Sequence, residues 1–110
     1  MQSNIFQVET ETKWEDLGSG IKRQIFGYND TVMMVKVKFE EGAIGALHQH
    51  PHSQVTYVES GIFEVTIDNQ IKTLIKGDGF LAPPHKMHGV ICKEPGVLID
   101  VFSPHREDFL

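Results

Sequence analysis

The segment Gly42-Ala43-Ile44-Gly45-Ala46-Leu47-His48-Gln49-His50-Pro51-His52-Ser53-Gln54 places three of the chain's six histidines within five residues. It follows a run, Thr31 to Glu40, in which Met33, Val35, Val37 and Phe39 alternate with Lys36, Lys38 and Glu40. Such period-two alternation predicts a strand buried on one face. Glu41-Gly42 then turns the chain into the histidine stretch. Alternate strand side chains share a face, so His48 and His50 are expected about 6–7 Å apart along one strand, within reach of one ion. Pro51 lacks a backbone donor and is expected to end or bend the pairing.

The same reading extends in both directions. Upstream, Ile5 to Val8 and Ile21 to Phe26 read as short strand pieces, and Lys13 to Asp16 as one helical turn or a loop. Downstream, Val55 to Glu59, Ile62 to Ile67, Ile71 to Ile75, Phe80 to Ala82, His88 to Lys93 and Val97 to Ser103 read as strands. Asp68-Asn69 suits a tight hairpin between two of them. About nine short strands, with turns about every 8–12 residues and no long helix, predict an all-β sandwich or barrel.

Length and composition narrow the field. The 110 residues are the size of one domain, 1–110, with 40% hydrophobic and 23% charged residues, as in ordinary globular chains. The net charge of −5 argues against a nucleic-acid surface, which needs a basic stripe. The start lacks the basic flank and apolar run of a signal peptide, and no apolar run approaches the ~20 residues of a membrane helix, so a cytoplasmic chain without a membrane partner is expected. The single cysteine, Cys92, lies in an apolar run and reads as a small core residue.

Two motifs carry the chemistry. The first runs Gly42, five residues, His48, one, His50, three, Gln54, six, Gly61; the second runs Gly77, five residues, Pro83, one, His85, two, His88. Together they resemble the two motifs of the cupin superfamily, a single-domain double-stranded β-helix, or jelly-roll barrel. In that family two histidines and a carboxylate of the first motif join a histidine of the second around a metal. Carried over, the resemblance implies the ligands His48, His50, Gln54 and His88 around one divalent transition ion: nickel, zinc, manganese, cobalt or iron. Gln54 stands where the general pattern has glutamate, and His85 where it has glycine. Three imidazoles and a neutral amide leave the ion its full charge, which favours Lewis acidity and anion binding. The same set matches poorly the two-histidine, one-carboxylate sites of iron oxygenases.

The ending, Leu98-Ile99-Asp100-Val101-Phe102-Ser103-Pro104-His105-Arg106-Glu107-Asp108-Phe109-Leu110, resembles that of the small pectin-degradation cupins. Those proteins linearise 4,5-unsaturated monouronates from pectin and alginate, with a metal held by three histidines and a glutamine. The resemblance implies Asp100, Phe102 and Arg106 as catalytic residues and a small anionic sugar as substrate. Asp100 would take the proton of the anomeric hydroxyl as the ring opens. Phe102 would pack on the sugar, and Arg106 would hold its carboxylate or position Asp100.

His52 and His85 read as rim or surface residues, and Tyr57 and Gln49 as substrate contacts. A homodimer completed through an exposed edge strand from the first third is expected. The competing readings are an iron-dependent cupin dioxygenase and a non-catalytic sugar- or metal-binding cupin module.

Overall fold

The computed structural model describes residues 1–110. Alternation dictates two antiparallel sheets. One holds six strands in the order β1 (Glu15–Gly18), β2 (Ile21–Tyr28), β3 (Met33–Phe39), β10 (Gly96–Ser103), β5 (Ser53–Val58) and β8 (Gly79–Ala82). The other holds β4 (Ile44–His48), β9 (His88–Glu94), β6 (Ile62–Ile67) and β7 (Gln70–Ile75). Their inner faces close on each other as a jelly-roll-like barrel. No helix is long and apolar enough to cross a membrane.

The alternation on β3 behaves as read: Met33, Val35 and Phe39 are buried while Lys38 is exposed. Phe39 meets Phe63 of β6 edge-on, with ring centroids 5.2 Å apart, and this pair centres a core that includes Val58, Leu98 and Cys92. Burying a phenylalanine in this way contributes roughly 1.5–3 kcal/mol. A smaller cluster of Met33, Val35 and Phe102 fills the other end.

The hairpin between β6 and β7 turns on Asp68 and Asn69, both at positive φ (48° and 68°), as a tight two-residue connection requires.

Three local expectations are revised. Ten strands form, among them β1, which begins at Glu15, where a helical turn or loop was expected. Ile5 to Val8 forms no strand: Ile5 and Phe6 are 77% and 84% exposed, with no neighbouring strand to pair them, and a 3-10 turn follows at Glu9–Glu11. Lastly, His48 and His50 do not share a strand. β4 ends at His48, and Pro51, unable to donate to a ladder, leaves His50 in the connection to β5.

Candidate metal centre

His48 ends β4, directly opposite His88 at the start of β9, and Gln54 points inward from β5. The close approach of β4 to β9 depends on Gly89. A Cβ there would lie 2.8 Å from the Gly45 carbonyl oxygen and 3.0 Å from the Leu47 amide nitrogen. Gly89→Ala is therefore expected to push the two strands apart and destabilise the metal-free protein by about 1–3 kcal/mol, read from thermal unfolding.

The ring centroids of His48 and His88 are 4.4 Å apart, those of His50 and His88 4.7 Å, and those of His48 and His50 5.5 Å. One ligand atom from each lies within 4.8 Å of the others, so the cluster can hold a metal ion. His50 and His88 are buried, whereas His48 opens the cluster to solvent.

Hydrogen bonds set the tautomer of all three rings. Nδ1 of His48 lies 2.8 Å from the Ala46 carbonyl, Nδ1 of His50 3.1 Å from that of His52, and Nδ1 of His88 2.9 Å from that of Lys86. A carbonyl only accepts, so each Nδ1 carries a proton and Nε2 is the nitrogen left to present a lone pair to a metal. Nε2 of His88 is buried with no partner. Nε2 of His50 faces Gln54 Oε1 at 3.0 Å, two acceptors pointed at each other. Buried polar atoms are rarely left so, and a shared cation satisfies both. Burial, the largest cause, holds the pKa values of His50 and His88 below the ordinary imidazole value, which keeps them neutral as ligands must be.

Asp100 lies inward on β10, between Leu98 and Phe102, and pairs in register with Thr56 of β5. Its Oδ1 accepts a 2.7 Å hydrogen bond from the Thr56 hydroxyl. Burial pushes its pKa up to about 6, while the Thr56 hydroxyl, the Gln54 amide and the Arg106 charge pull it back. His48, Gln54, His88 and Asp100 line one small cavity of about 90 Å³. The largest cavity, about 410 Å³, opens elsewhere, among side chains such as Ile67, Ile71, Leu74 and Leu81. It contains none of the convergent imidazoles, so its size does not make it the chemical site.

Phe102 is buried, with its ring 5.8 Å from that of His50 and 5.8 Å from that of Phe109. The tail does not run free into solvent. Arg106 lies over Phe102 at 5.1 Å and over Phe109 at 4.3 Å, and Arg23 covers Phe109 at 4.0 Å. The Arg106 guanidinium donates twice to Asp108, at 3.0 and 2.8 Å, and makes no hydrogen bond to Asp100.

His52 is half-buried beside His50, 5.4 Å between centroids, with Nδ1 enclosed and unpartnered. His85 is exposed, at φ +64°, and its amide bonds the His50 carbonyl at 2.9 Å. That left-handed backbone is the reason a glycine suits its position.

Tyr57 lies on the outer face of β5, 47% exposed, because strand alternation turns it away from Gln54 and Thr56; it does not line the cavity. Gln49 is exposed beside the turn. Sequence reading passed over Thr56, whose only signal was its place on the same strand face as Gln54. It also passed over Asp108 as the partner of Arg106.

A family model described as a cupin domain matches residues 35–102. The chain is 50% identical over 105 residues to the pectin degradation protein KdgF of Dickeya dadantii strain 3937, a match covering 94% of this chain and 96% of that protein. Among solved structures, an RmlC-like cupin from Shewanella frigidimarina NCIMB 400 superposes with a TM-score of 0.97 at 50% identity, covering 99% of this chain and 98% of the other. KdgF from Halomonas sp. superposes with a TM-score of 0.94 at 43% identity, covering 98% and 100%.

Proposed function

Because the chain belongs to the cupin domain family, we propose that residues 1–110 form one cupin domain that catalyses metal-dependent ring opening of 4,5-unsaturated monouronates from pectin or alginate breakdown. The product is the linear 5-keto-4-deoxyuronate. The observation that carries this reading is a neutral ligand cluster, His48, His50, Gln54 and His88, with a carboxylate of raised pKa, Asp100, that lines the same small cavity as His48, Gln54 and His88. The likeness to a protein named for pectin degradation supports the substrate class.

The four residues would hold one divalent ion of the nickel, zinc, manganese, cobalt and iron group. Such an ion supplies Lewis acidity toward negative charge developing on oxygen. Asp100 is the general base. Its Oδ1 is held by Thr56, which leaves Oδ2 to take the proton of the anomeric hydroxyl. The electrons of that O–H bond form the C1 carbonyl, and the bond from C1 to the ring oxygen breaks. Its electron pair goes to the ring oxygen as the enolate at C5, and delivery of a proton to C4, with Asp100 giving up the one it took, yields the 5-ketone and restores the carboxylate. A pKa near 6 leaves most Asp100 ionised at neutral pH yet still basic enough to accept a proton.

Arg106 binds the sugar carboxylate by exchanging Asp108 for it, since the guanidinium offers the same two-pronged geometry to either. Phe102 supports both His50 and Arg106.

The same proposal includes a homodimer. The edge strand from the first third of the chain, β1, would pair with a second copy, and Leu81, Val55 and Val101 add an exposed apolar row across β8, β5 and β10 of the same sheet. Sedimentation equilibrium reads its mass.

The deciding experiment mixes purified, metal-loaded protein with 4,5-unsaturated galacturonate and follows loss of enol absorbance and the products by NMR. A rate above spontaneous ring opening, without oxygen uptake, is expected. Oxygen consumption would favour the dioxygenase reading, and tight binding without turnover the non-catalytic module.

A further inference from the structure

Thr56 is 1% exposed and stands between the two halves of the site. It lies two residues after Gln54 on β5 and opposite Asp100 on β10. Gln54 Nε2 donates to Thr56 Oγ1 at 2.9 Å, and Oγ1 donates to Asp100 Oδ1 at 2.7 Å.

A hydroxyl has one proton to give. Once that proton is committed to Asp100, Oγ1 has only lone pairs left, so whatever faces it from position 54 must be a donor. The NH2 end of Gln54 meets that demand, which turns Oε1 toward His50 Nε2, 3.0 Å away. A glutamate at 54 would confront Thr56 with a second acceptor, and one of two buried carboxylates would go unserved.

We propose that Thr56 is a positioning residue: its hydroxyl, shared between Gln54 and Asp100, selects an amide at position 54 and holds the amide oxygen toward the three histidines. This inference rests on the metal reading above and assigns the orientation of one ligand to a residue that touches neither metal nor substrate.

The test titrates metal-depleted protein with cobalt(II) and records affinity and visible spectrum for the natural chain, Thr56→Val and Thr56→Ser. Valine keeps the shape without the hydroxyl, whereas serine keeps the hydroxyl. Thr56→Val is expected to weaken cobalt binding by about 10–100-fold, the range for residues supporting metal ligands, and to shift the spectrum. Thr56→Ser is expected to restore both. In a Gln54→Glu background, Thr56→Val is expected to change affinity by less than threefold, because no amide remains to orient.

A second reading needs no variant at position 56. The Gln54 side-chain NH2, assigned by its loss in Gln54→Glu, is expected to show slowed hydrogen exchange in the metal-free natural chain.

Unchanged affinity and spectrum in Thr56→Val, or unprotected Gln54 amide protons, would overturn this inference alone. Failure of the natural chain to bind cobalt(II) would overturn the metal reading and this inference with it.

Discussion

Asp100→Asn is expected to turn over 4,5-unsaturated galacturonate about 10²–10⁴ times more slowly than the natural chain, the range for loss of a general base. The metal-free variant is expected to unfold at the same temperature or higher. Both results come from one cause. Asparagine keeps the oxygen that accepts from Thr56 but has no basic lone pair of carboxylate strength. It also removes a charge that burial disfavours, as the rise from 3.8 to about 6 shows.

The sign follows from proton uptake. Between those two values the folded chain holds a proton that the unfolded chain has lost, so for this group stability falls as pH rises from about 4 to about 6 and is level above. At pH 7 the deficit is at most about 3 kcal/mol. Thermal unfolding of both proteins at pH 7 and pH 4 checks this, since the difference is expected at the first pH and absent at the second. In the metal-loaded natural chain the acid limb of the rate profile is expected at or below about 6, because a nearby cation favours the ionised carboxylate. Full activity in Asp100→Asn would remove Asp100 from the mechanism.

His88→Ala is expected to lower metal affinity by more than about 100-fold, beyond the loss typical of a supporting residue. His88 contributes the one imidazole nitrogen of the cluster that is buried without a partner, and a cation supplies what that atom lacks. In the natural chain, free metal at a hundred times the dissociation constant should stabilise the fold by about 2.7 kcal/mol. His88→Ala should lose that rise in unfolding temperature, and calorimetry with added metal reads both quantities. An equal rise in the variant would show that the stabilising metal sits elsewhere.

The pH dependence of binding follows from burial. Burial holds His50 and His88 below the ordinary imidazole value of 6.5, so proton competition with metal at these two ligands is expected to set in at lower pH than at an ordinary imidazole. In the metal-free chain the same groups oppose Asp100. The unfolded imidazoles take up protons near 6.5 while the buried ones do not, so stability falls as pH drops through that value. Relief of the Asp100 penalty partly offsets this loss, and Asp100→Asn should make it steeper.

Local patterning in the sequence sets most of the strands and their faces, β1 and the Ile5–Val8 segment excepted. Met33, Val35 and Phe39 are buried because a pleat repeats every two residues, a rule that needs only local order. The turn at Asp68-Asn69 is local too, since both residues tolerate the left-handed backbone that a tight hairpin requires. The spacing of His48, His50, Gln54 and His88 was legible as a metal pattern through its resemblance to a family.

Tertiary structure alone decided how those residues meet. Alternation alone predicts His48 and His50 on one face of a single strand, whereas β4 ends at His48 and His50 reaches the cluster from a connection anchored by the His52 carbonyl and the His85 amide. Nothing local links Thr56 to Asp100, 44 residues later, yet their register on β5 and β10 joins the carboxylate to the amide of Gln54. Periodicity tells each side chain which face to take. Which atoms then share a proton depends on strand pairing across the barrel, where one hydroxyl between two partners fixes the direction of both.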